Sequence, residues 1–193
     1  LHEAIPLTGT IASGTYTDNN IKTYSHGMFE SVYDYPYLSS SANHIFDVTT
    51  GYASNSSLSG SGVQNSKKLN IYSQMAQVLV GYDATGSIQS FDRDGDIALG
   101  GDKINEAIFV NFSRLLTKDE MKKGSFVASF LTGGTPAART DLMTIADHGA
   151  AASYKVNSPA GEYGILYTSS ATPNADSGVG LVYYQAGVAV LTG

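Results

Sequence analysis

Short apolar runs separated by turn-forming residues fill the C-terminal part of the chain, and they constrain its fold more than any other feature. The turns read GGTP, DHGA, NSPAGEYG and TPNADSG. Short runs rich in β-branched and aromatic residues, closed by Gly, Pro, Asn and Asp, are typical of antiparallel strands. The predicted strands cover residues 125–131, 140–146, 153–156, 165–168 and 179–191.

The last of these runs, VGLVYYQAGVAVL at 179–191, is the strongest strand signal in the chain. It predicts one long strand. Gly180 and Gly187 lie inside it, where a missing side chain permits a bulge or the close approach of another backbone. A long apolar strand at a free edge exposes unpaired backbone groups, so we expect this strand to be central or paired with another subunit.

Two helices are predicted before the C-terminal strands. Apolar residues recur at three- and four-residue spacing through KKLNIYSQMAQVLV, which predicts an amphipathic helix over about 65–80, ended by Gly81. The sequence Thr117-Lys-Asp-Glu120 matches a capping box and predicts a short helix over about 117–123, ended by Gly124. The apolar run at 107–116 between them predicts a central strand. The fold class is therefore α+β, mainly β.

The chain of 193 residues has the length of one compact domain. Residues 1–27 hold too few apolar residues for a core of their own, and we expect an extended arm or irregular strand there. The predicted single domain covers 28–193. Within it, NSSLSGSGVQNS at 55–66 predicts a flexible loop.

The charge of the chain excludes several functions. The formal net charge is −6, which disfavours nucleic-acid binding because that binding depends on Lys and Arg neutralising phosphates. The two basic pairs, Lys67-Lys68 and Lys122-Lys123, are interpreted as solvated helix surface. The chain has no cysteine, and so no disulfide, thiolate nucleophile or Cys-based zinc site. Only 15% of the residues are charged, and such a surface suits permanent contacts with neighbours.

No membrane association is expected, because no apolar run approaches the roughly 18–20 residues that cross a bilayer. The first residues, LHEAIPLTGTIASG, lack the basic start and apolar core of a secretory signal. Because the sequence starts at Leu1 and not at Met, we expect it to be processed, engineered or part of a longer chain.

The sharpest motif for chemistry is Asp92-Arg-Asp94-Gly-Asp96, followed by Asp102. Alternating carboxylates begin many calcium loops. An EF-hand loop starting at Asp92 needs Gly at 97 and Glu at 103, and this chain has Ile97 and Lys103. A solvated acidic turn is therefore favoured over a calcium site built from these four aspartates. No metal or other cofactor is expected.

Other residue types that catalyse reactions are present but do not form recognisable motifs. The histidines are widely spaced, and neither a nucleophile elbow nor a phosphate-binding loop occurs. Gly100-Gly101 and Gly133-Gly134 are interpreted as turns, and Asp119 and Glu120 as helix-capping residues. The histidines are His2, His26, His44 and His148.

Tyrosine pairs, in contrast, could serve binding. Tyr35/Tyr37 and Tyr183/Tyr184 could stack on sugar rings, although burial or a place in an interface is the more common fate of such residues.

Several longer phrases resemble one protein family. They are YDYPYLSSSANHIFDVTTGY, KKLNIYSQMAQVLVGYDATG, VNFSRLLTKDEMKKGSF, VNSPAGEYGILY and GLVYYQAGVAVLTG, and the likeness runs from about residue 24 to 192. The chain resembles a virion structural protein of contractile-tailed, T-even-like phages that infect marine cyanobacteria. The resemblance implies a particle component of the tail or baseplate, located in the virion and assembled in the host cytoplasm. It implies no catalytic residues.

The sequence thus predicts a non-enzymatic structural subunit whose partners are other virion proteins and copies of itself. We expect the isolated chain to associate with itself or to remain partly disordered. One alternative is a tail module that binds a host-surface glycan through exposed tyrosines and the acidic loop. Another is a structural protein of the neck or capsid surface. An enzyme such as a cell-wall hydrolase ranks last, because no spaced carboxylate pair or metal cluster supports it.

Overall fold

A computed structural model describes residues 4–5, 20–97, 101–113, 119–135, 138–168 and 177–193. Two helices and eleven strands are present within these ranges. The helices are α1 (Val63–Leu79) and α2 (Ala150–Ser153). The strands are β1 (Ala4–Ile5), β2 (Ile21–Thr23), β3 (Glu30–Tyr33), β4 (His44–Tyr52), β5 (Glu106–Phe112), β6 (Glu120–Met121), β7 (Val127–Thr135), β8 (Ala138–Ala146), β9 (Tyr163–Thr168), β10 (Gly180–Tyr183) and β11 (Val188–Thr192).

Nine of the strands form one antiparallel sheet in the order β2-β3-β4-β5-β11-β10-β9-β8-β7. β1 and β6 pair separately, in parallel. This confirms the predicted α+β, mainly β class. The predicted strand at 107–116 corresponds to β5, which lies between β4 and β11 well inside the sheet; residues 114–116 lie outside the described ranges.

Two apolar clusters lie on opposite faces of the central strands. Successive residues of β10 alternate between them, since Leu181 and Tyr183 belong to one cluster and Val182 to the other. Helix α1 covers the first cluster with Ala76 and Leu79. The helix approaches β4 closely at Gly51, where an added Cβ atom would lie 2.9 Å from the backbone nitrogen of Tyr72. Only glycine fits at this crossing.

The predicted helix over about 65–80 is confirmed as α1, which begins two residues earlier, at Val63. Gly81 ends it as expected: its φ is +87°, and its N–H donates to the carbonyl of Ala76 at 3.0 Å. The first turn of α1 overlaps the loop predicted at 55–66, whose flexibility stays a prediction. Among the described residues, no helix is long and apolar enough to cross a membrane.

The single long strand predicted at 179–191 is wrong. The segment folds back on itself as the hairpin β10–β11, in which Gly180 pairs with Leu191 and Tyr183 with Val188. Gly187 has a φ of +71° in the turn, so its freedom of conformation matters there. Close approach occurs at Gly180 instead, where a Cβ atom would lie 2.5 Å from the carbonyl oxygen of Val190.

The short helix predicted over about 117–123 is also wrong. Thr117 lies outside the described residues, but Glu120–Met121 is strand β6, and Met121 is buried in the second cluster. Pairing with β1, more than a hundred residues earlier, satisfies backbone groups that a helix would have satisfied locally. Gly124 does form a turn, with a φ of +74°.

Two further expectations differ from the structure or stay open. The strand predicted at 153–156 is replaced by α2 and one isolated bridge between Lys155 and Tyr163. In the predicted arm at 1–27, residues 6–19 lie outside the described ranges and Ile21–Thr23 forms β2. The division into an arm and a domain at 28–193 stays a prediction.

Candidate functional site

The acidic loop after α1 brings three of the four aspartates together. One carboxylate oxygen from each of Asp92, Asp94 and Asp96 lies within 4.8 Å of the others. Two of the three side chains cap the turn that follows them, because Asp92 accepts the N–H of Asp94 at 3.1 Å and Asp94 accepts that of Asp96 at 3.0 Å. Asp102 is exposed and lies outside this group. The motif is therefore a chain of consecutive backbone turns.

The sequence departs from a calcium loop at Lys103, and the structure shows what that lysine does. Its ammonium pairs with the buried carboxylate of Asp92 and donates to the carbonyl of Ile97 at 2.8 Å. A backbone bridge joins Asp92 to Lys103 and so holds the two side chains together. A metal ion bound by Asp92 would have to displace this ammonium group. The protein's own cation thus satisfies the most buried carboxylate of the loop.

The pKa values of the loop reflect this arrangement. Burial opposes ionisation of Asp92, but its hydrogen bond with Asp94 and the Lys103 ammonium outweigh burial and lower its pKa. The shared hydrogen bond raises the pKa of Asp94. Asn157 and Tyr163 contact the loop at Gly95. The side-chain amide of Asn157 donates to the carbonyl of Gly95 at 3.0 Å, and the Tyr163 hydroxyl donates to Asn157 Oδ1 at 2.7 Å. These contacts attach residues 92–96 to the rest of the domain.

The described histidines do not assemble a metal site or a catalytic triad. His44 contacts Asp47 at 2.8 Å, and the hydroxyl of Ser31 donates to the same carboxylate oxygen at 2.5 Å. In a catalytic triad the imidazole lies between the serine and the carboxylate. Here the carboxylate lies between them, so the histidine cannot take the serine proton. His26 and His148 lie elsewhere, and His2 is outside the described residues.

A buried carboxylate that the sequence analysis treated as a simple turn, Asp147, organises the second face. Its oxygens accept the N–H of Gly124 at 2.7 Å, the N–H of Phe126 at 2.9 Å and the hydroxyl of Tyr184 at 2.9 Å. Burial raises the pKa of Asp147 and outweighs these three hydrogen bonds. Its contacts are internal, so Asp147 joins its own loop to the loop at Gly124–Phe126 and to Tyr184, the residue that follows β10. The short sequence Asp147-His148-Gly149 does not by itself indicate that the carboxylate has this structural role.

Lys123 is not the solvated helix residue that the sequence predicted. Its ammonium lies 2.5 Å from Glu162 and 3.5 Å from Glu120, and 4.9 Å from the centroid of the Tyr154 ring. The hydrogen bond to Glu162 raises the pKa of Lys123. Glu120 therefore contributes to an ion-pair network from strand β6, and the helix-capping role predicted for it is wrong.

The two tyrosine pairs have different environments. Tyr183 and Tyr184 are fully buried on opposite faces of the sheet, and neither can stack on a ligand from solvent. Tyr35 is exposed in the turn between β3 and β4, and Tyr37 contacts Tyr33 with ring centroids 6.2 Å apart. Of these four residues, the 35/37 pair alone is available at the surface.

The hairpin β7–β8 has several exposed apolar side chains close together. β8 pairs with β9 at only two positions, Ile145 with Thr168 and Ala146 with Tyr167. β7 and β8 are each nine residues long, so most of their length lies beyond Thr168, where the described part of β9 ends. The exposed apolar side chains of this hairpin are Val127, Leu131, Leu142 and Met143.

The outer side of β7 is an open sheet edge, since no strand within the described ranges pairs with it. Its sequence, VASFLTGGT, has no charge, and its ladder is regular from Val127 to Leu131 before a bulge. The opposite edge, β2, is three residues long and has Lys22 at its centre. Charged, short edges resist pairing with other chains, whereas long apolar edges favour it. Of the two described edges of the nine-stranded sheet, the β7 edge is therefore the one suited to association.

Comparison of the chain with protein-family models, with curated proteins and with solved structures gives no match. The class of protein therefore follows from the fold and its surfaces alone: in its described residues it is a mainly β domain with an acidic loop in which Lys103 pairs with Asp92, and with the partly exposed apolar hairpin β7–β8.

Proposed function

We propose that the chain is a non-enzymatic structural component of a phage particle, in the tail or baseplate, and that it acts by assembling with other virion proteins and with copies of itself. The observation that carries the assembly role is the β7–β8 hairpin. The assignment to a phage particle is based on the sequence resemblance described above.

The hairpin supports assembly on physical grounds. A two-stranded hairpin is marginally stable in water unless further strands or a hydrophobic face support it. In this protein, part of the hairpin, including Phe130, packs on the second apolar cluster, while Val127, Leu131 and Leu142 share the face that stays exposed. A partner protein that covers this face and pairs with the β7 edge would bury the apolar surface and form hydrogen bonds with the unpaired backbone groups.

The non-enzymatic role is supported by the side chains that could perform catalysis. Asp92 is paired with Lys103, and Asp147 is saturated with hydrogen bonds from the protein. The Ser31, Asp47 and His44 contacts are in an order that does not activate the serine. Among the described residues, these contacts hold loops and strands together.

Sedimentation velocity of the purified chain tests assembly through the hairpin. We expect the wild-type chain to self-associate and Val127→Lys to be monomeric at the same concentration, because a lysine on the edge strand opposes pairing. The matched control is Val78→Lys on α1, since the two valines are equally exposed, at 65% and 66%. If the wild type and both variants associate equally, the hairpin is not the interface.

Mass spectrometry of purified particles, followed by location of the chain in a density map of the particle, tests the virion role. We expect a constant copy number per particle and contacts through the β7–β8 hairpin. A chain that is made during infection but is missing from purified particles would contradict this role.

A further inference from the structure

A cleft of about 640 Å³ lies between the C-terminal end of α1, the turn that follows it and the acidic loop. Val80, Ile97 and Pro159 provide an apolar floor, and the rest of the lining is mostly uncharged polar residues. Its volume is in the range of sites for small molecules, roughly 300–1,000 Å³. The cleft is separate from the β7–β8 hairpin and is not used by the proposed assembly role.

An aromatic ring stands at the side of this cleft. Tyr82 is 53% exposed, and its backbone is held by a bridge to Ile88 and by the side-chain amide of Gln89, which donates to the carbonyl of Tyr82 at 2.8 Å. A large apolar ring held open to solvent on an ordered turn is available for stacking. Just over half of the surface of this residue is free to contact a ligand.

The cleft also has hydrogen-bonding capacity that the protein does not use. The Oδ1 atom of Asp96 is buried and has no hydrogen-bond partner among the described residues. Buried carboxylate oxygens are rarely left in this state. Asp96 lines the cleft, so its carboxylate provides an acceptor for the hydroxyl group of a ligand. Gln77 is exposed on the cleft wall, and Gln89 still has its amide oxygen available.

From this combination we propose that the cleft binds a neutral saccharide. A sugar ring has an apolar C–H face that can stack on Tyr82, and hydroxyl groups that can donate to Asp96 and exchange hydrogen bonds with Gln77 and Gln89. Of the described lining residues, Asp96 is the one carboxylate, and with the neighbouring amide groups it can accept hydrogen bonds from several sugar hydroxyl groups. Lys103 neutralises Asp92, but Asp94 also lies in the same acidic group, so a cation is the competing ligand that the experiments must distinguish from a sugar.

Amide NMR titration of the whole chain tests this proposal with three neutral probes: maltotriose, cellotriose and N-acetylated chitotriose, each to about 10 mM. We expect at least one to cause saturable shifts at Gly81, Tyr82 and Ile97 with a dissociation constant of about 1 mM or tighter. Absence of saturable shifts with all three, or shifts confined to other surfaces, would overturn the proposal.

Substitutions at exposed tyrosines identify the stacking surface without disturbing the core. Tyr82→Ala should weaken binding about tenfold, whereas Tyr82→Phe should keep it within about twofold because the ring remains. Tyr35→Ala is the matched control, since Tyr35 is 46% exposed and lies in the turn between β3 and β4. Unfolding midpoints equal to that of the wild type show that the variants fold.

Agmatine, which carries a guanidinium and an amine, serves as the cationic probe. If agmatine shifts the cleft amides and none of the saccharides does, the site recognises cations and the saccharide proposal is wrong. None of these outcomes depends on self-association. A negative titration therefore contradicts only the saccharide site, and a negative sedimentation result contradicts only the hairpin interface.

Discussion

The centre of the sheet and the β7–β8 hairpin are built from similar residues in similar alternation, but only the centre buries both of its faces. Leu166, Val182 and Val190 are fully buried there. In the hairpin, Val127 and Leu142 stay mostly exposed. The same apolar side chains therefore stabilise the fold in one region and form an uncovered surface in the other.

The difference comes from what covers each region. Helix α1 packs on one face of the centre, and the segment containing Met121 and Phe126 packs on the other. The hairpin pairs with β9 at Ile145 and Ala146, and one of its faces packs on the second cluster through Phe130, whereas the other face stays exposed. Alternation along a strand shows which residues share a face, but the neighbouring elements decide whether that face is buried.

The largest expected effect that separates the two regions is alkaline unfolding of the centre. Burial raises the pKa of five core tyrosines, at 72, 163, 167, 183 and 184, above the ordinary value of 10.0. The folded state then holds these protons more tightly than the unfolded state does. Stability is fully present below pH 10 and is lost progressively as the pH rises above it, so we expect the sheet to unfold in strongly alkaline solution.

Ultraviolet absorbance of tyrosinate and circular dichroism, followed together, measure this loss, since the chain has 13 tyrosines and no tryptophan. We expect exposed tyrosines to ionise first and buried ones to ionise only as the sheet unfolds. Ionisation of all the tyrosines near pH 10 with the folded signal intact would show that the core tyrosines are accessible.

Truncation of one leucine in each region tests the contrast directly. Leu166→Ala, at a fully buried position, should destabilise the fold by about 2–5 kcal/mol. Leu142→Ala, at a position 57% exposed, should change stability by less than about 0.5 kcal/mol. Urea unfolding of the monomer measures both values. If Leu142→Ala costs as much as Leu166→Ala, the hairpin face is covered in solution and the contrast fails.

The turn between β10 and β11 gives a smaller effect at the centre. Gly187→Val should cost about 1–3 kcal/mol, because a β-branched residue is strained at a φ of +71°. Asparagine tolerates this conformation better, so Gly187→Asn should cost less than valine. Equal unfolding midpoints for wild type and the valine variant would mean that the turn adopts a different backbone in solution.

The smallest expected effect concerns calcium at the acidic loop. Millimolar calcium should move the unfolding midpoint by less than about 2 °C, because Lys103 already neutralises Asp92 and no bidentate glutamate closes the loop. A shift of several degrees that Asp94→Ala removes would assign a cation site to Asp92, Asp94 and Asp96.

Lys103→Glu sharpens this test. Without calcium the variant should be less stable than the wild type, because Asp92 then lies buried beside a second carboxylate. With calcium it should recover more of its stability than the wild type gains. Equal responses to calcium in both proteins would show that the lysine does not control the loop.

Local features of the chain could be predicted where neighbouring residues alone decide them. The spacing of apolar residues predicted α1, and Gly81 marked its end. Turn residues and short β-branched runs predicted antiparallel strands and the mainly β class. Gly124 was predicted to end a short helix; the helix is wrong, but the residue does lie in a turn, with a φ of +74° that glycine adopts without strain.

The functional surfaces could be predicted only in part. The alternating aspartates were recognised as a motif, but the ammonium of Lys103 at Asp92 depends on a bridge between two segments of the loop. Tyr82 did not stand out in the sequence, because its exposure and its place beside Asp96 follow from how α1 meets the turn at Pro159.

By itself, the sequence determined the elements whose hydrogen bonds and apolar stripes are local: helix α1, the antiparallel character of the strands and the turns at glycine. Only the tertiary structure decided that 179–191 is a hairpin, that Glu120–Met121 is a strand and that the β7–β8 hairpin is exposed. In each case the deciding partner lies far along the chain or across a turn. Periodicity describes one segment, whereas pairing and burial depend on what the rest of the fold places against it.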